Sequence, residues 1–221
     1  MEQFNITQRE SGLHIEGFPD AVKVLRIDGS RAKRLSDLAL HKADLDFAEN
    51  CLDAINLTTE DAYVVREALW RSSIVHFLKC FGDAGARFQL SAKKIFKAEP
   101  PEAMMAFEYF KGLRNKHLVH DENSYSQSIP GAILNNRNKG YKIEKIVCFS
   151  AIAITISQDN YNNLKLLIQK SRVWVIAEFD KLCEVLTEEL ERESYEKLFG
   201  KPSINYQLPM IDEIHRKRNT F

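Results

Sequence analysis

The sequence contains few cysteines and no long apolar run. Its four cysteines are scattered among 221 residues, without a CxxC pair or a histidine at metal-ligand spacing. We therefore expect neither a disulfide framework nor a zinc site. The longest apolar stretches, such as Ile146–Ile156, are far shorter than the ~20 residues that span a bilayer. The N-terminus also lacks a basic region followed by an apolar one. These absences predict a cytoplasmic protein with no metal and no membrane partner.

The sequence also lacks a net charge and the common motifs for nucleotides and hydrolysis. Lysine and arginine total 31, and aspartate and glutamate also total 31. The whole chain therefore exerts no electrostatic attraction on nucleic acid, and any RNA contact must use a local patch. There is no Walker loop and no GxGxxG, HExxH or GxSxG segment. We expect no cofactor.

A helical period begins at Ser30, in a chain whose 44% hydrophobic residues suffice for a core. Leu38, Leu45 and Leu52 recur at the spacing of a buried helix face. Asp37 belongs to the opposite, polar face of the same pattern. The spacing predicts a long amphipathic first helix.

Further helices are predicted from their start and stop signals. Thr58 and Asp61 have the spacing of a capping box, and Gly82 ends the helix that follows. Pro100 and Pro101 pre-set the first turn of a later helix. Short connections between helices favour antiparallel packing. The predicted helices run from Thr58 to Phe81, from Ser91 to Phe96, from Glu102 to about His117 and from Gln158 to about Phe199.

A β-hairpin is predicted between the last two long helices. The β-like runs Ile129–Leu134 and Tyr141–Phe149 flank a turn-rich segment at 135–140. The expected fold class is therefore mainly α, an antiparallel helical bundle with a small β-hairpin insertion. The expected division is an N-terminal arm or hairpin at 1–29, a helical domain at 30–199 with the insertion at 129–149, and a C-terminal tail at 200–221.

The segment LRNKHLVHDEN, at 113–123, gathers basic and histidine side chains at the end of a predicted helix. An arginine followed by a histidine is a weak signal by spacing alone. Thirteen arginines, three allowed spacings and six histidines in 221 residues give about one match by chance. What distinguishes Arg114 and His120 is their context, since Asn115 follows the arginine directly and a helix pair precedes it. The four matches are Arg9–His14, Arg34–His41, Arg71–His76 and Arg114–His120.

The segment at 113–121 resembles the signature of the HEPN superfamily, which is an arginine, a polar residue and then a histidine four to six positions after that second residue. It is most similar to the abortive-infection branch, as are the helix at Ala68–Ser73 and the exit at Phe81–Asp83. The resemblance covers about residues 35–190. It implies a HEPN-like fold and a metal-independent endoribonuclease in bacterial defence or as a toxin, with its active site shared by two copies.

The residue types suit that chemistry. Cleaving RNA without a metal requires one group to take a proton from the ribose 2′-hydroxyl and another to protonate the leaving oxygen. Histidine, which titrates near pH ~6.5, can do either, and a guanidinium can hold the phosphate. We therefore assign acid–base chemistry to His120 and the phosphate to Arg114. Asn115 would orient the histidine or hold the phosphate, and His117 and Arg71 are auxiliary candidates.

The geometry of a regular helix adds a constraint. Six positions rotate by about 600°, which leaves Arg114 and His120 roughly 120° apart around the axis. One copy cannot easily aim both side chains at one phosphate. Two copies related by a two-fold axis could supply the missing groups. The HEPN resemblance implies such a homodimer with RNA as its substrate, and an antitoxin or other partner protein as a further possible partner.

Structural explanations compete with these functional ones. Positive side chains such as Arg114 and His120 are favoured at any helix C-terminus, and His117 could serve as a cap. Arg71 and His76 are expected to form a partly buried polar pair. For the whole chain, the alternatives are a non-catalytic HEPN domain that binds RNA, a nucleotide or a partner protein, and a purely structural helical dimer.

Overall fold

A computed structural model describes residues 6–9, 12–56, 62–83, 86–120, 122–204 and 210–215. The chain is mainly helical, with two small two-stranded antiparallel sheets. One of these sheets is the hairpin expected between the last two long helices, so the predicted fold class is confirmed. Within the described ranges, no helix combines the length and the apolar character that a membrane crossing requires.

Six α-helices are described, and one of them changes its geometry at the candidate motif. The helix expected to run from Glu102 to about His117 is α-helical only as far as Leu113. The chain then continues without a break as a π-helix from Arg114 to Val119. The α-helices are α1 Ser30–Asp53, α2 Tyr63–Lys79, α3 Ala92–Ile95, α4 Pro101–Leu113, α5 Gln158–Glu191 and α6 Tyr195–Gly200, and a short 3₁₀ helix covers Ile211–His215.

The last predicted helix is also shorter than expected. It ends at Glu191, and α6 begins separately after Ser194. The Ser194 hydroxyl accepts a hydrogen bond from the Lys197 amide at 3.3 Å, which makes it the N-cap of a new helix. The capping box expected at Thr58 and Asp61 lies outside the described residues.

The chain forms two compact units, each assembled from separate segments. The first unit comprises 1–43, 82–90 and 171–221, and the second comprises 44–81 and 91–170. α1 and α5 each contribute residues to both units. The expected division into an arm, one helical domain and a tail is a different partition and stays a prediction.

Aromatic side chains form the core of the second unit. The Phe81 ring lies 4.9 Å from that of Phe107 and 5.1 Å from that of Phe77, both edge to face. The Phe96 ring lies 5.9 Å from that of Phe107. Such pairs add about 0.5–1.5 kcal/mol beyond the burial of their area. This cluster holds α2 and α4 together next to the π-helix.

Trp70 connects α2 to two other parts of the second unit. Its side chain is completely buried, and its ring lies 6.0 Å from that of Phe110 on α4. Its Nε1 donates to the Thr155 hydroxyl at 3.0 Å, and the Thr155 carbonyl accepts a hydrogen bond from Asn160 at 2.8 Å. The segment that leaves the hairpin is therefore attached to α2 through one indole.

Buried polar side chains stabilise the first unit, so the expectation that Asp37 lies on a polar face is wrong. Asp37 is 1% exposed and accepts hydrogen bonds from Lys33 Nζ at 2.8 Å and from the Phe88 amide at 3.2 Å. The buried His41 meets the Phe88 carbonyl at 2.8 Å through Nε2. The amphipathic pattern of α1 does not predict this burial, because a segment distant along the chain packs on that side of the helix.

Both sheets are antiparallel hairpins. β1, Ile6–Arg9, pairs with β2, Gly12–Ile15. β3, Ser126–Leu134, pairs with β4, Ile143–Ile152, in a register that runs from Ser126 opposite Ile152 to Leu134 opposite Ile143. The β3–β4 hairpin extends beyond its expected bounds at the open end, next to Thr155.

We expect Thr155→Val to lower the free energy of unfolding by about 1–3 kcal/mol, because the buried Trp70 indole N–H loses its acceptor. Urea denaturation measures this change. Thr187→Val is the matched control, since Thr187 is an exposed threonine of α5. An equal effect of the two substitutions would show that the indole hydrogen bond does not matter.

Candidate functional site

The candidate motif lies on the π-helix and at its exit. A π-helix is rare and is found mostly as a single turn within an α-helix, frequently at functional sites. Here it begins at Arg114 and ends at Val119, and His120 follows in an extended conformation with φ −125° and ψ 147°. The Glu122 amide closes the exit by donating to the Lys116 carbonyl at 2.9 Å. The rotation calculated for a regular α-helix therefore does not apply to Arg114 and His120.

Arg114 and Asn115 hydrogen-bond to each other. Nη1 of Arg114 donates to Oδ1 of Asn115 at 2.8 Å, and both side chains are half-buried. Nε of Arg114 is buried and has no acceptor among the described residues. A guanidinium that is held at one nitrogen presents its other donors in a fixed fork. Asn115 therefore orients the arginine in this structure, rather than a histidine.

His117 contacts Tyr125, the residue just before β3. Its ring lies 5.5 Å from that of Tyr125, edge to face. Its Nδ1 is buried and has no hydrogen-bond partner in the described part of the chain. A buried nitrogen without a hydrogen-bond partner costs stability.

His120 differs from His117 in being exposed. Within the described residues, no hydrogen bond or ion pair joins it to Arg114 or Asn115. Its neighbour Asp121 lies outside those residues. The structure thus brings Arg114 and Asn115 together and leaves His120 open to solvent at the end of the same segment.

Arg71 lies on α2, the helix that contacts the π-helix. Its Nε donates to Glu67 Oε2 at 3.3 Å, and its side chain is 45% exposed. Glu67 is buried, and its other oxygen, Oε1, has no partner among the residues described. The remaining guanidinium nitrogens of Arg71 are directed by this carboxylate.

The expected pair between Arg71 and His76 is wrong. His76 Nδ1 instead meets Asp44 Oδ1 at 2.8 Å, and Lys79 Nζ meets the same oxygen at 3.0 Å. The Phe47 ring lies 4.4 Å from the imidazole. Asp44 is on α1, 32 residues before His76, and no local spacing signals such a pair.

The remaining side-chain chemistry is limited. In the described ranges, no group of three or more histidine, cysteine or acidic residues is arranged to hold a metal ion. The four cysteines are free, and burial raises the pKa of the Cys51 and Cys183 thiols.

Comparisons of the chain with protein-family models, with curated proteins and with solved structures give no match. The HEPN resemblance therefore rests on the sequence motif.

We expect His117→Phe to raise the free energy of unfolding by about 1 kcal/mol or leave it unchanged, because it removes an unsatisfied nitrogen and keeps the ring against Tyr125. Thermal and urea unfolding measure this change. His117→Ala serves as the comparison and should be destabilising, because it loses the ring contact as well. A large loss of stability in His117→Phe would mean that Nδ1 has a structural partner.

Proposed function

We propose that this chain is a metal-independent endoribonuclease of the HEPN type, a bacterial defence or toxin-like protein of the cytoplasm. One observation carries the proposal. The hydrogen-bonded Arg114–Asn115 pair lies in a π-helix from which His120 emerges into solvent. A pre-oriented guanidinium and an accessible imidazole on one short segment are the two groups that RNA cleavage without a metal requires.

The proposed reaction proceeds by attack of the ribose 2′-oxygen on the adjacent phosphorus. A histidine removes the 2′-hydroxyl proton, the 5′-oxygen leaves, and an acid group returns a proton to it. The products are a 2′,3′-cyclic phosphate and a 5′-hydroxyl. His120 carries the proton transfer, and Arg114 balances the charge that develops on the phosphate oxygens. His117 and Arg71 are the auxiliary groups of this proposal.

A second copy completes the site in this proposal. One exposed histidine cannot act as base and acid in the same step, and no hydrogen bond or ion pair joins His120 to Arg114 among the described residues. A copy related by two-fold symmetry adds a second Arg114 and a second His120. The active species is therefore a homodimer with RNA as its substrate. A regulating partner such as an antitoxin belongs to the proposal, since an uncontrolled ribonuclease would damage its own cell.

We expect the purified protein to cleave total cellular RNA and structured transcripts in the presence of EDTA, leaving cyclic phosphate ends. His120→Ala should slow cleavage by about 10²–10⁴-fold, the usual contribution of acid–base catalysis. Arg114→Ala should slow it by about 10²–10³-fold, as for the loss of one donor to a developing oxyanion. Arg114→Lys should recover only part of the rate, because lysine keeps the charge but lacks the fork.

The controls remove the same residue types elsewhere. His76→Gln changes a histidine that pairs with Asp44, and Arg192→Ala changes an exposed arginine near Glu188. Both should leave cleavage unchanged. Full activity in His120→Ala would contradict the proposal, and so would inhibition by EDTA. RNA binding without turnover by the wild-type protein would favour the non-catalytic HEPN domain instead.

A further inference from the structure

The β3–β4 hairpin exposes large apolar side chains along its whole length. A two-stranded hairpin is marginally stable in water, and apolar groups on both of its faces cannot all be buried within it. In β4 every residue except Val147 is exposed. The exposed large apolar side chains of the hairpin are Ile129, Ile133, Leu134, Tyr141, Ile143, Ile146, Phe149 and Ile152.

The exposed apolar area of the hairpin lies on both of its faces. A large side chain corresponds to ~60–120 Å² of apolar area, so these eight expose on the order of 500 Å². This area is divided between the two faces, with Ile129 and Phe149 opposite each other on one face and Ile146 and Ile152 on the other. A strand added at an edge of the hairpin would extend both faces at once.

The two edges of the hairpin differ because of Pro130. In an antiparallel pair, opposed residues alternate between those that exchange both backbone hydrogen bonds and those that exchange none. Pro130 lies opposite Cys148 and has no N–H, so this pair exchanges none. Because pairs alternate along the strands, Ser128 and Ser150 also exchange no backbone hydrogen bonds. The 2.9 Å distance between their hydroxyl oxygens agrees with this. The amides of these four residues therefore point outward, away from the partner strand.

Among the described residues no further strand pairs with β3 or β4. Pro130 blocks the outer edge of β3, whereas the outer edge of β4 has no such block. Proline on an edge strand interrupts its donors and discourages pairing with another chain. The β4 edge offers the N–H and C=O groups of Cys148 and Ser150, without a proline. From Ile146 to Ile152 it also lacks any charged residue. A lysine, the common protection of an exposed edge, is absent from that stretch.

The uncharged stretch Ile146–Ile152 can pair with itself, which favours a second copy of the chain as the occupant. When the segment Ile146–Ile152 pairs with itself antiparallel around Phe149, each of its residues meets another uncharged residue. Cys148 then faces Ser150 of the second copy, and both have outward amides for a pair of hydrogen bonds. The two Phe149 side chains meet at the axis on the same face. The edge is therefore complementary to itself, as a two-fold interface requires.

We propose that two copies of this chain associate through β4, forming a four-stranded antiparallel sheet with Phe149 on the two-fold axis. The interface joins the apolar faces of both hairpins and covers the open edge of each. This inference shares only the second copy with the proposed function. Association through β4 stands even if the protein cleaves no RNA, because it is measured by mass and not by turnover.

Ser150→Pro and Ser128→Pro form a matched pair of tests. Each removes an outward amide and the same hydroxyl contact, and neither breaks the β3–β4 ladder. Ser150→Pro also deletes two symmetric hydrogen bonds between the copies, so it should weaken the dimer at least about tenfold. Ser128→Pro should leave the dimer unchanged. Sedimentation equilibrium over a range of protein concentrations measures both dissociation constants, with circular dichroism to verify folding.

A disulfide test keeps the inference testable if a proline variant fails to fold. In a chain carrying Cys148→Ser and Cys183→Ser, Phe149→Cys should form a covalent dimer on mild oxidation, because two strands paired there hold the Cα atoms within ~4.5–5.5 Å. Ile129→Cys in the same chain is the control, since Ile129 lies opposite Phe149 on β3. The inference is overturned if the wild-type protein is monomeric at ~100 µM, a concentration far above the Kd of ordinary specific complexes. Equal weakening by both prolines, or equal cross-linking of both cysteines, also overturns it.

Discussion

The hydrogen bond between the Trp70 indole and the Thr155 hydroxyl fixes how the chain leaving the β3–β4 hairpin meets α2. Both groups are buried, and the indole ring also packs against Phe110. A buried N–H without an acceptor is costly, so the position of Thr155 and of the chain leaving the hairpin is strongly specified. The segment before α5 is thereby attached to α2, and α4, which leads into the π-helix, packs on the other side of the same residue.

The π-helix is the second constraint, and it concerns the candidate chemistry directly. Regular α-helical hydrogen bonding would be more stable, so a wider turn usually persists where a side chain must be aimed differently. Here the wider turn coincides with Arg114 and Asn115, whose side chains bond to each other, and with His117, whose Nδ1 has no partner among the described residues. A guanidinium oriented in this way loses little further freedom on binding a phosphate. This small loss of conformational freedom is the physical argument for a phosphate-binding function at Arg114.

Much of the architecture follows from local patterns. The helical period of α1, the prolines before α4 and the turn-rich residues at 135–140 each act within a few residues, and the structure confirms a mainly α fold with a hairpin before α5. The candidate site was recognisable from the order of Arg114, Asn115 and His120, but their arrangement was not. The change from α-helix to π-helix has no simple sequence signal, because it depends on what packs around the helix.

Non-local contacts decided the rest. Asp37 is buried because Phe88 packs on its side of α1, and His76 pairs with Asp44 on another helix rather than with Arg71 on its own. The amphipathic period describes one element at a time and cannot include a neighbour contributed by a distant segment. The sequence by itself determined where most of the helices and the β3–β4 hairpin lie, because those preferences are local. Only the tertiary structure decided which polar groups are buried, which pairs they form, and that the hairpin leaves its apolar faces uncovered, because each depends on segments far apart in the chain.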